Sequence, residues 1–173
     1  MTRLVALLGH PVEHSLSPRM QNAAFAALAL DLAYVAFDVP PERLEAAVQG
    51  LAALGFAGAN VTAPHKLAAA ALVETEEPSV NTLVFREGRI EGSSTDAAIL
   101  EELVTERPVI VGGGGSAVAF ARALPHASRF ERKGKWPPEV GGADLVVNAT
   151  PVTDEVLVRL NPGQVLVDLP YPG

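Results

Sequence analysis

The chain has 173 residues, of which 49% are hydrophobic and 19% charged, a balance that indicates a folded globular protein long enough to bury one or two small cores. Its formal net charge of −7 argues against nucleic acid or an anionic membrane surface as a partner through bulk electrostatics. The absence of cysteine excludes disulfides and thiolate metal sites, the four histidines lack ligand spacing, and no apolar run reaches membrane-spanning or signal-peptide form, so a soluble cytoplasmic protein with no metal centre is expected.

Taken in order, Leu4 to Leu8 is a short continuous apolar run of the kind that forms a buried strand. After Gly9-His10-Pro11, Ser17 and Pro18 read as the N-cap and first residue of a helix to about Leu30, with Met20, Ala23, Ala24, Ala27 and Leu28 as its buried face. Ala33 to Asp38 is the next strand. Pro40-Pro41-Glu42 opens a second helix with Leu44, Val48, Leu51 and Leu54 inward, and Gly55 stops it. A strand from Phe56 to Val61 completes βαβαβ, which predicts a parallel sheet with right-handed crossovers.

That strand runs into Thr62-Ala63-Pro64-His65-Lys66. Thr62 suits a helix N-cap and Pro64 a first turn, with helix continuing from Leu67 to Val73. Asn60, Thr62 and Lys66 therefore gather where a strand gives way to a helix, the usual ligand position in an open α/β sheet, and the lysine can present an ammonium to a substrate oxygen. Asn81 to Phe85 and Ile90 to Ser93 flank Arg86-Glu87-Gly88-Arg89 as a hairpin. Ser94-Thr95-Asp96 then precedes a helix to about Glu106, and Arg107-Pro108 marks a boundary between domains at 1–106 and 107–173.

The second half opens with the strand Val109 to Val111, followed by Gly112, Gly113, Gly114, Gly115, Ser116 and Ala117 and a helix from Ser116 to Leu124. This strand–glycine turn–helix has the form of a dinucleotide site: Gly112 for the tight turn, Gly114 for close approach of a pyrophosphate, Ala117 for close packing, and the helix N-terminus for the phosphates. Ala127 to Phe130 is the following strand. Glu131 lies near the offset where an acid meets a ribose hydroxyl, whereas Arg132, Lys133 and Lys135 can hold a 2′-phosphate or form a solvated basic turn. Trp136-Pro137-Pro138 forbids a regular helix across 134–142, Asp154 to Leu160 allows at most a couple of helical turns, and Leu145 to Asn148 and Val165 to Asp168 are the last strands.

With these motifs in place the chain resembles the shikimate dehydrogenase family, which includes shikimate/quinate dehydrogenases. The resemblance is carried in family order by His14-Ser15-Leu16-Ser17-Pro18, Asn60-Val61-Thr62-Ala63-Pro64-His65-Lys66, Val80-Asn81-Thr82-Leu83, Thr95-Asp96, the glycine turn, Asn148-Ala149-Thr150-Pro151 and Asp168-Leu169-Pro170-Tyr171. It implies an α/β protein: an N-terminal βαβαβ substrate-binding domain whose sheet is mostly parallel with an added hairpin, then a reduced Rossmann-like domain. It also implies reduction of 3-dehydroshikimate to shikimate by hydride from NADP. By the same resemblance Ser15 and Ser17 grip the substrate carboxylate, and Asn60, Thr62, Asn81 and Asp96 bind ring hydroxyls. Lys66 and Asp96 form the catalytic pair, and the glycine turn with Glu131, Arg132, Lys133, Asn148 and Thr150 holds the cofactor.

The chain departs from the family pattern at several points. Ser94 stands for asparagine, the span from Lys66 to Asn81 is short, and Glu131 replaces the asparagine of Asn-Arg-Thr. Val152-Thr153 replaces Gly-Met, and the family's C-terminal helices with their substrate-binding glutamine do not follow Gly173. A naturally reduced member is favoured over a truncated product. Glu131 suits NAD while Arg132 and Lys133 suit NADP, towards which the balance leans. The alternatives are a quinate dehydrogenase and a non-catalytic homologue that keeps the acid pocket without a cofactor. A sheet short of covering helices predicts self-association, so a homo-oligomer is expected.

Overall fold

The computed structural model describes residues 1–170 and divides into two compact units, the first spanning residues 1–95 and the second beginning at Asp96. The sequence boundary at 106 differs from this division because Ala97, Leu100 and Leu103 pack into the core of the second unit. Tyr171, the end of one family motif, lies outside the described residues.

The first unit contains β1 (Arg3–Gly9), α1 (Ser17–Ala27), β2 (Leu32–Asp38), α2 (Leu44–Ala53), β3 (Gly58–Val61), α3 (Lys66–Ala70), β4 (Thr82–Arg86) and β5 (Arg89–Ser93). Its sheet runs β2-β1-β3-β4-β5, parallel through the first three strands, with β4 and β5 added as an antiparallel hairpin. Alternation along the strands separates the two faces. Ala6 and Leu8 of β1, Ala59 and Val61 of β3 and Leu83 of β4 turn to one face, against Leu44, Val48 and Leu51 of α2 and Ala69 of α3. Leu7 and Tyr34 turn to the other, with Val12 and the partly buried Phe25 of α1.

Local chemistry fixes the helix ends. α2 follows a short 3-10 turn over Pro41–Arg43 and closes when Phe56 N–H donates to Leu51 O at 3.1 Å around Gly55, the expected stop. α1 ends at Ala27, short of the expected Leu30: Ala29 adopts φ +52 and Leu30 N–H returns to Phe25 O at 2.9 Å. Its cap is Leu16 rather than Ser17, so Ser17 is already helical.

The expected buried face of α1 is also corrected. Met20 and Leu28 are 62% and 69% exposed, while Pro18, Gln21 and Phe25 are half-buried. Asn22 fixes that rotation: its Nδ2 donates to Tyr34 O and its Oδ1 accepts from Tyr34 N–H, both at 2.9 Å, so the side-chain amide pairs with the outer edge of β2 like a short strand. The next strand is shorter than expected, Gly58–Val61, and the helix after it starts at Lys66, not at Thr62. Thr62 instead closes a turn in which its carbonyl accepts His65 N–H at 2.9 Å.

The second unit contains β6 (Pro108–Val111), α4 (Gly115–Ala123), β7 (Ser128–Phe130), β8 (Leu145–Asn148) and β9 (Val165–Asp168), in an all-parallel sheet of order β7-β6-β8-β9. Ile110, Leu145, Val147 and Val167 face α4 through Ala117 and Phe120, together with Leu100. Val109, Val111 and Val146 face Phe130, Val140 and Ala143, with Trp136 and Val158 partly buried beside them.

The helix expected from Asp96 to Glu106 is only a 3-10 segment, Asp96–Leu100. The Asp144 carboxylate explains the shortening. It accepts from the Thr105 hydroxyl, from Glu106 N–H at 2.8 Å and from Arg107 N–H at 3.1 Å, drawing that backbone out of a helical path. These donors hold the Asp144 carboxyl down to about 2, with the Thr105 hydroxyl the largest cause. Asp154 to Leu160 forms no helix. No helix among the described residues is long and apolar enough to cross a membrane.

Candidate active site

The sheet topology of the first unit brings several predicted residues to one end. β1 and β3 finish there at Gly9 and Val61, and the antiparallel hairpin returns Thr82 beside Asn60 and Ser93 beside Thr82. The chain therefore leaves this edge towards Ser15 and Ser17, towards Thr62 and Lys66, and towards Thr95, with Asn81 entering β4 between them. Val61 N–H donates to Asn81 O at 2.8 Å and Val80 N–H to Lys66 O at 2.9 Å, so the lysine's helix is tied by backbone to the segment carrying Asn81.

Asn60 is the hub of the polar side chains. Tyr34, paired with Val5 on the far side of β1, reaches across that strand and donates its hydroxyl to Asn60 Oδ1 at 2.8 Å. Asn60 Nδ2 donates to Asn81 O at 3.2 Å and to Thr82 Oγ1 at 3.3 Å, and Thr82 Oγ1 donates to Asn81 Oδ1 at 2.9 Å. Asn81 Nδ2 in turn donates to Thr95 Oγ1 at 3.0 Å, and Thr95 N–H to Asn81 Oδ1 at 3.1 Å. The result is a connected row, Tyr34–Asn60–Thr82–Asn81–Thr95, that fixes both asparagine rotamers. Burial pushes the Tyr34 phenol up to about 12, so it remains a hydrogen-bond donor throughout the neutral range.

Thr62 and Lys66 are half-buried. Gly9 lets Thr62 approach β1, because a Cβ on Gly9 would lie 2.5 Å from Thr62 Cγ2. His65, 1% exposed, donates from Nε2 to Val39 O at 2.7 Å, anchoring the start of α3 to the chain leaving β2. Ser15 Oγ accepts Ser17 N–H at 3.2 Å, which holds the serine turn at the mouth of α1. Asp96, next in sequence after Thr95, opens the 3-10 segment of the second unit.

Sequence reasoning missed Tyr34 and Asn22, which organise the site without belonging to a motif. The available signal was Tyr34 inside the predicted strand Ala33 to Asp38, since a buried phenol needs a partner. A cleft of about 390 Å³ in the same unit is lined by Gln49, Leu72, Glu74 and Arg89, away from all these residues.

In the second unit the glycine turn has the geometry a dinucleotide requires. Gly112 takes φ +138, and a Cβ there would lie 2.7 Å from Ala149 O, so only glycine fits between β6 and the chain leaving β8. Gly114 has open space where its Cβ would point, α4 begins at Gly115 without a side-chain cap, and Ala117 is fully buried under the helix. Ser116 lies in the first turn of α4. The backbone N–H groups of that turn and the helix dipole thus face a clear approach, and the residues present fit a pyrophosphate.

Around this turn, Glu131 and Arg132 follow β7, with Arg132 paired to Glu155, and Lys133 is exposed in the next turn. Asn148 Nδ2 donates to Asp168 Oδ1 at 2.8 Å, and Asn148 Oδ1 accepts from Thr150 Oγ1 at 2.9 Å. Of these, Asn148, Glu155 and Asp168 line a cleft of about 290 Å³, with Thr153 and Leu166, beyond the carboxyl ends of β8 and β9.

A glycine turn between strand and helix in a parallel sheet, in a chain whose other α/β unit carries a fixed polar row at its strand ends, defines a dinucleotide-dependent enzyme of two-domain type. The profile of the shikimate dehydrogenase substrate binding domain matches residues 7–83. The chain belongs to the shikimate dehydrogenase family. It is 50% identical to the NADP⁺ shikimate dehydrogenase of Methanopyrus kandleri, with 87% of this chain and 68% of that one covered. It is 39% identical to the corresponding Rubrobacter xylanophilus protein, over 99% and 78% of the two chains. Among solved structures, a shikimate dehydrogenase in complex with NADP⁺ is 32% identical, with a TM-score of 0.85 over 98% of this chain and 77% of that one. The Thermus thermophilus shikimate 5-dehydrogenase in complex with shikimate is 30% identical, with a TM-score of 0.81 over 98% and 78%.

Proposed function

We propose that this protein is an NADP-dependent shikimate dehydrogenase that interconverts 3-dehydroshikimate and shikimate. The observation that carries the reading is the fixed row Tyr34–Asn60–Thr82–Asn81–Thr95 beside Thr62 and Lys66, an array of neutral hydrogen-bonding groups suited to a polyhydroxylated ring. Ser15 and Ser17, at the mouth of α1, receive the carboxylate, where helix N–H groups and hydroxyls favour an anion. Asn81, Thr62 and Asp96 bind ring hydroxyls. Asn60 acts both as a ligand and as the residue that orients Asn81.

A bound nicotinamide would supply a hydride to the ketone carbon, leaving the negative charge on its oxygen. The Lys66 ammonium stabilises the resulting alkoxide and transfers its proton to it, leaving a hydroxyl. Asp96 orients the lysine and takes part in restoring its proton. Gly112, Gly113, Gly114, Gly115, Ser116 and Ala117 receive the pyrophosphate, with Arg132 and Lys133 at the adenosine end and Asn148 and Thr150 beside the glycine turn.

The test is purified protein with shikimate and NADP⁺ or NAD⁺, followed by reduced-nicotinamide absorbance. Turnover is expected, and folded protein that turns over neither cofactor overturns the reading. The same assay with quinate separates the two acids, and shikimate is expected to be preferred. The exposed apolar face of α1, with Leu16, Met20 and Leu28, supports self-association, which sedimentation over a concentration series checks. A cytoplasmic location fits the absence of a spanning helix among the described residues together with a charged, cysteine-free composition.

A further inference from the structure

The adenosine end of the nucleotide site carries carboxylates that oppose a 2′-phosphate. Glu131 follows β7 directly and lays its Oε2 over the glycine turn, where a Cβ on Gly113 would collide with it. Its position is held from three sides. Arg129 Nη2 lies 3.7 Å from Oε2, and Arg129 Nε donates to Gly112 O at 3.3 Å. Glu131 N–H donates to Lys135 O at 3.2 Å, and Gly134 N–H donates to Glu131 O at 2.9 Å. Of the three cations that follow, Arg132 and Lys135 are already engaged, while Lys133 is exposed in the turn between them. The Arg132 guanidinium pairs with Glu155 and lies 5.4 Å over the Trp136 ring. Lys135 Nζ sits 4.5 Å over the Phe130 ring and 3.7 Å from Glu139.

We propose that Glu131 and Glu155 determine the dinucleotide preference of this chain. Glu131 accepts the 2′-hydroxyl of an unphosphorylated adenosine ribose, and Glu155 restrains Arg132 from a 2′-phosphate, so that the preference for NADP⁺ over NAD⁺ narrows to about tenfold or less. The inference rests on the reading that the glycine turn holds the dinucleotide. A carboxylate at the end of this strand is a natural acceptor for the ribose hydroxyl, and at the same place it repels a phosphate dianion. Both partners of the Arg132–Glu155 pair are more than half exposed, so the pair is weak and a phosphate can displace Glu155. Glu155 therefore lowers affinity for the phosphorylated cofactor without excluding it, and acts as a positioning residue through Arg132.

The experiment titrates the full chain with NAD⁺, NADP⁺, adenosine 5′-monophosphate and adenosine 2′,5′-bisphosphate by calorimetry. Emission of Trp136, the single tryptophan, provides a second readout because Arg132 rests on its ring. The wild-type chain is expected to bind the two dinucleotides within about tenfold of each other. Glu155→Gln tightens the bisphosphate by roughly threefold to tenfold, alters Trp136 emission and leaves the monophosphate unchanged. Glu131→Gln tightens the bisphosphate and weakens NAD⁺ by about tenfold. A wild-type preference for NADP⁺ beyond about a hundredfold overturns the inference, as does a ratio that neither substitution moves. In those cases the dinucleotide still binds and the proposed function stands. Failure of both dinucleotides to bind folded wild-type protein removes the functional reading and this inference together.

Discussion

The two units cover parallel strands by different means. In the first, α2 and α3 lie on one face of the sheet and satisfy their own backbones. In the second, α4 and the 3-10 segment cover one face, and non-helical chain carrying Trp136, Val140, Ala143 and Val158 covers the other. A helix is therefore not needed to bury a sheet face, but the carbonyls it would have bonded internally still require donors. Gln164 supplies them: its Nε2 donates to Val140 O at 2.6 Å and Ala143 O at 2.7 Å, while Asn161 Nδ2 donates to Gly141 O at 3.3 Å. Side-chain amides take the place of helical hydrogen bonds in the second unit. In the first, the amides of Asn60 and Asn81 bond instead to Tyr34, Thr82 and Thr95 at the strand ends.

On the proposed function, proton donation by Lys66 belongs to the first unit, while Asp96 and the glycine turn belong to the second, and this division is testable. Lys66→Ala should lower kcat by roughly 100-fold to 10,000-fold, the range lost with a general acid, while dinucleotide affinity measured by calorimetry stays unchanged. A parallel loss of dinucleotide binding would show that the division of labour is wrong. Phe120, fully buried between α4 and the sheet, anchors the helical cover of the second unit. Phe120→Ala should cost about 3–5 kcal/mol, read by urea unfolding through Trp136 emission, which reports that unit. A loss under about 1 kcal/mol would mean that the loop-covered face carries the unit.

Gln164→Ala sharpens the same contrast, because it removes the donor for two carbonyls with little change in apolar burial. A loss of about 1–3 kcal/mol is expected in the same unfolding assay, and no change would imply that water replaces the amide without cost. The smallest effect concerns acid. Asp144 titrates at about 2 in the folded protein against 3.8 ordinarily, so its contribution is present above the ordinary value and is lost as pH falls through the folded one. Asp144→Asn should flatten the pH dependence of stability between about pH 4 and pH 2 while leaving cooperative unfolding intact. An unchanged acid profile would remove Asp144 from that role.

The fold was legible where one residue type leaves few options. Leu4 to Leu8 and Val109 to Val111 form strands as expected, Gly55 stops α2, and the glycine turn sits between β6 and α4. The candidate residues of the first unit were legible as a motif, and the sheet does gather Asn60, Thr62, Lys66 and Asn81 at one edge. The errors fell where a distant side chain overrides local preference. α1 turns a different face inward because Asn22 bonds the edge of β2, and the helix after Asp96 stops because Asp144 takes its amides.

Taken alone, the sequence determined which segments are strands, which turns need glycine and which polar residues meet at strand ends. Those follow from side-chain periodicity and backbone sterics within a few residues. Tertiary structure decided which partner each amide and carboxylate takes. That choice depends on groups far apart in the chain: Tyr34 reaches Asn60 across β1, Gln164 serves Val140, and Glu155 closes on Arg132. A hydrogen-bonding group is satisfied by whichever complement the fold brings within about 3 Å, and sequence distance does not encode that.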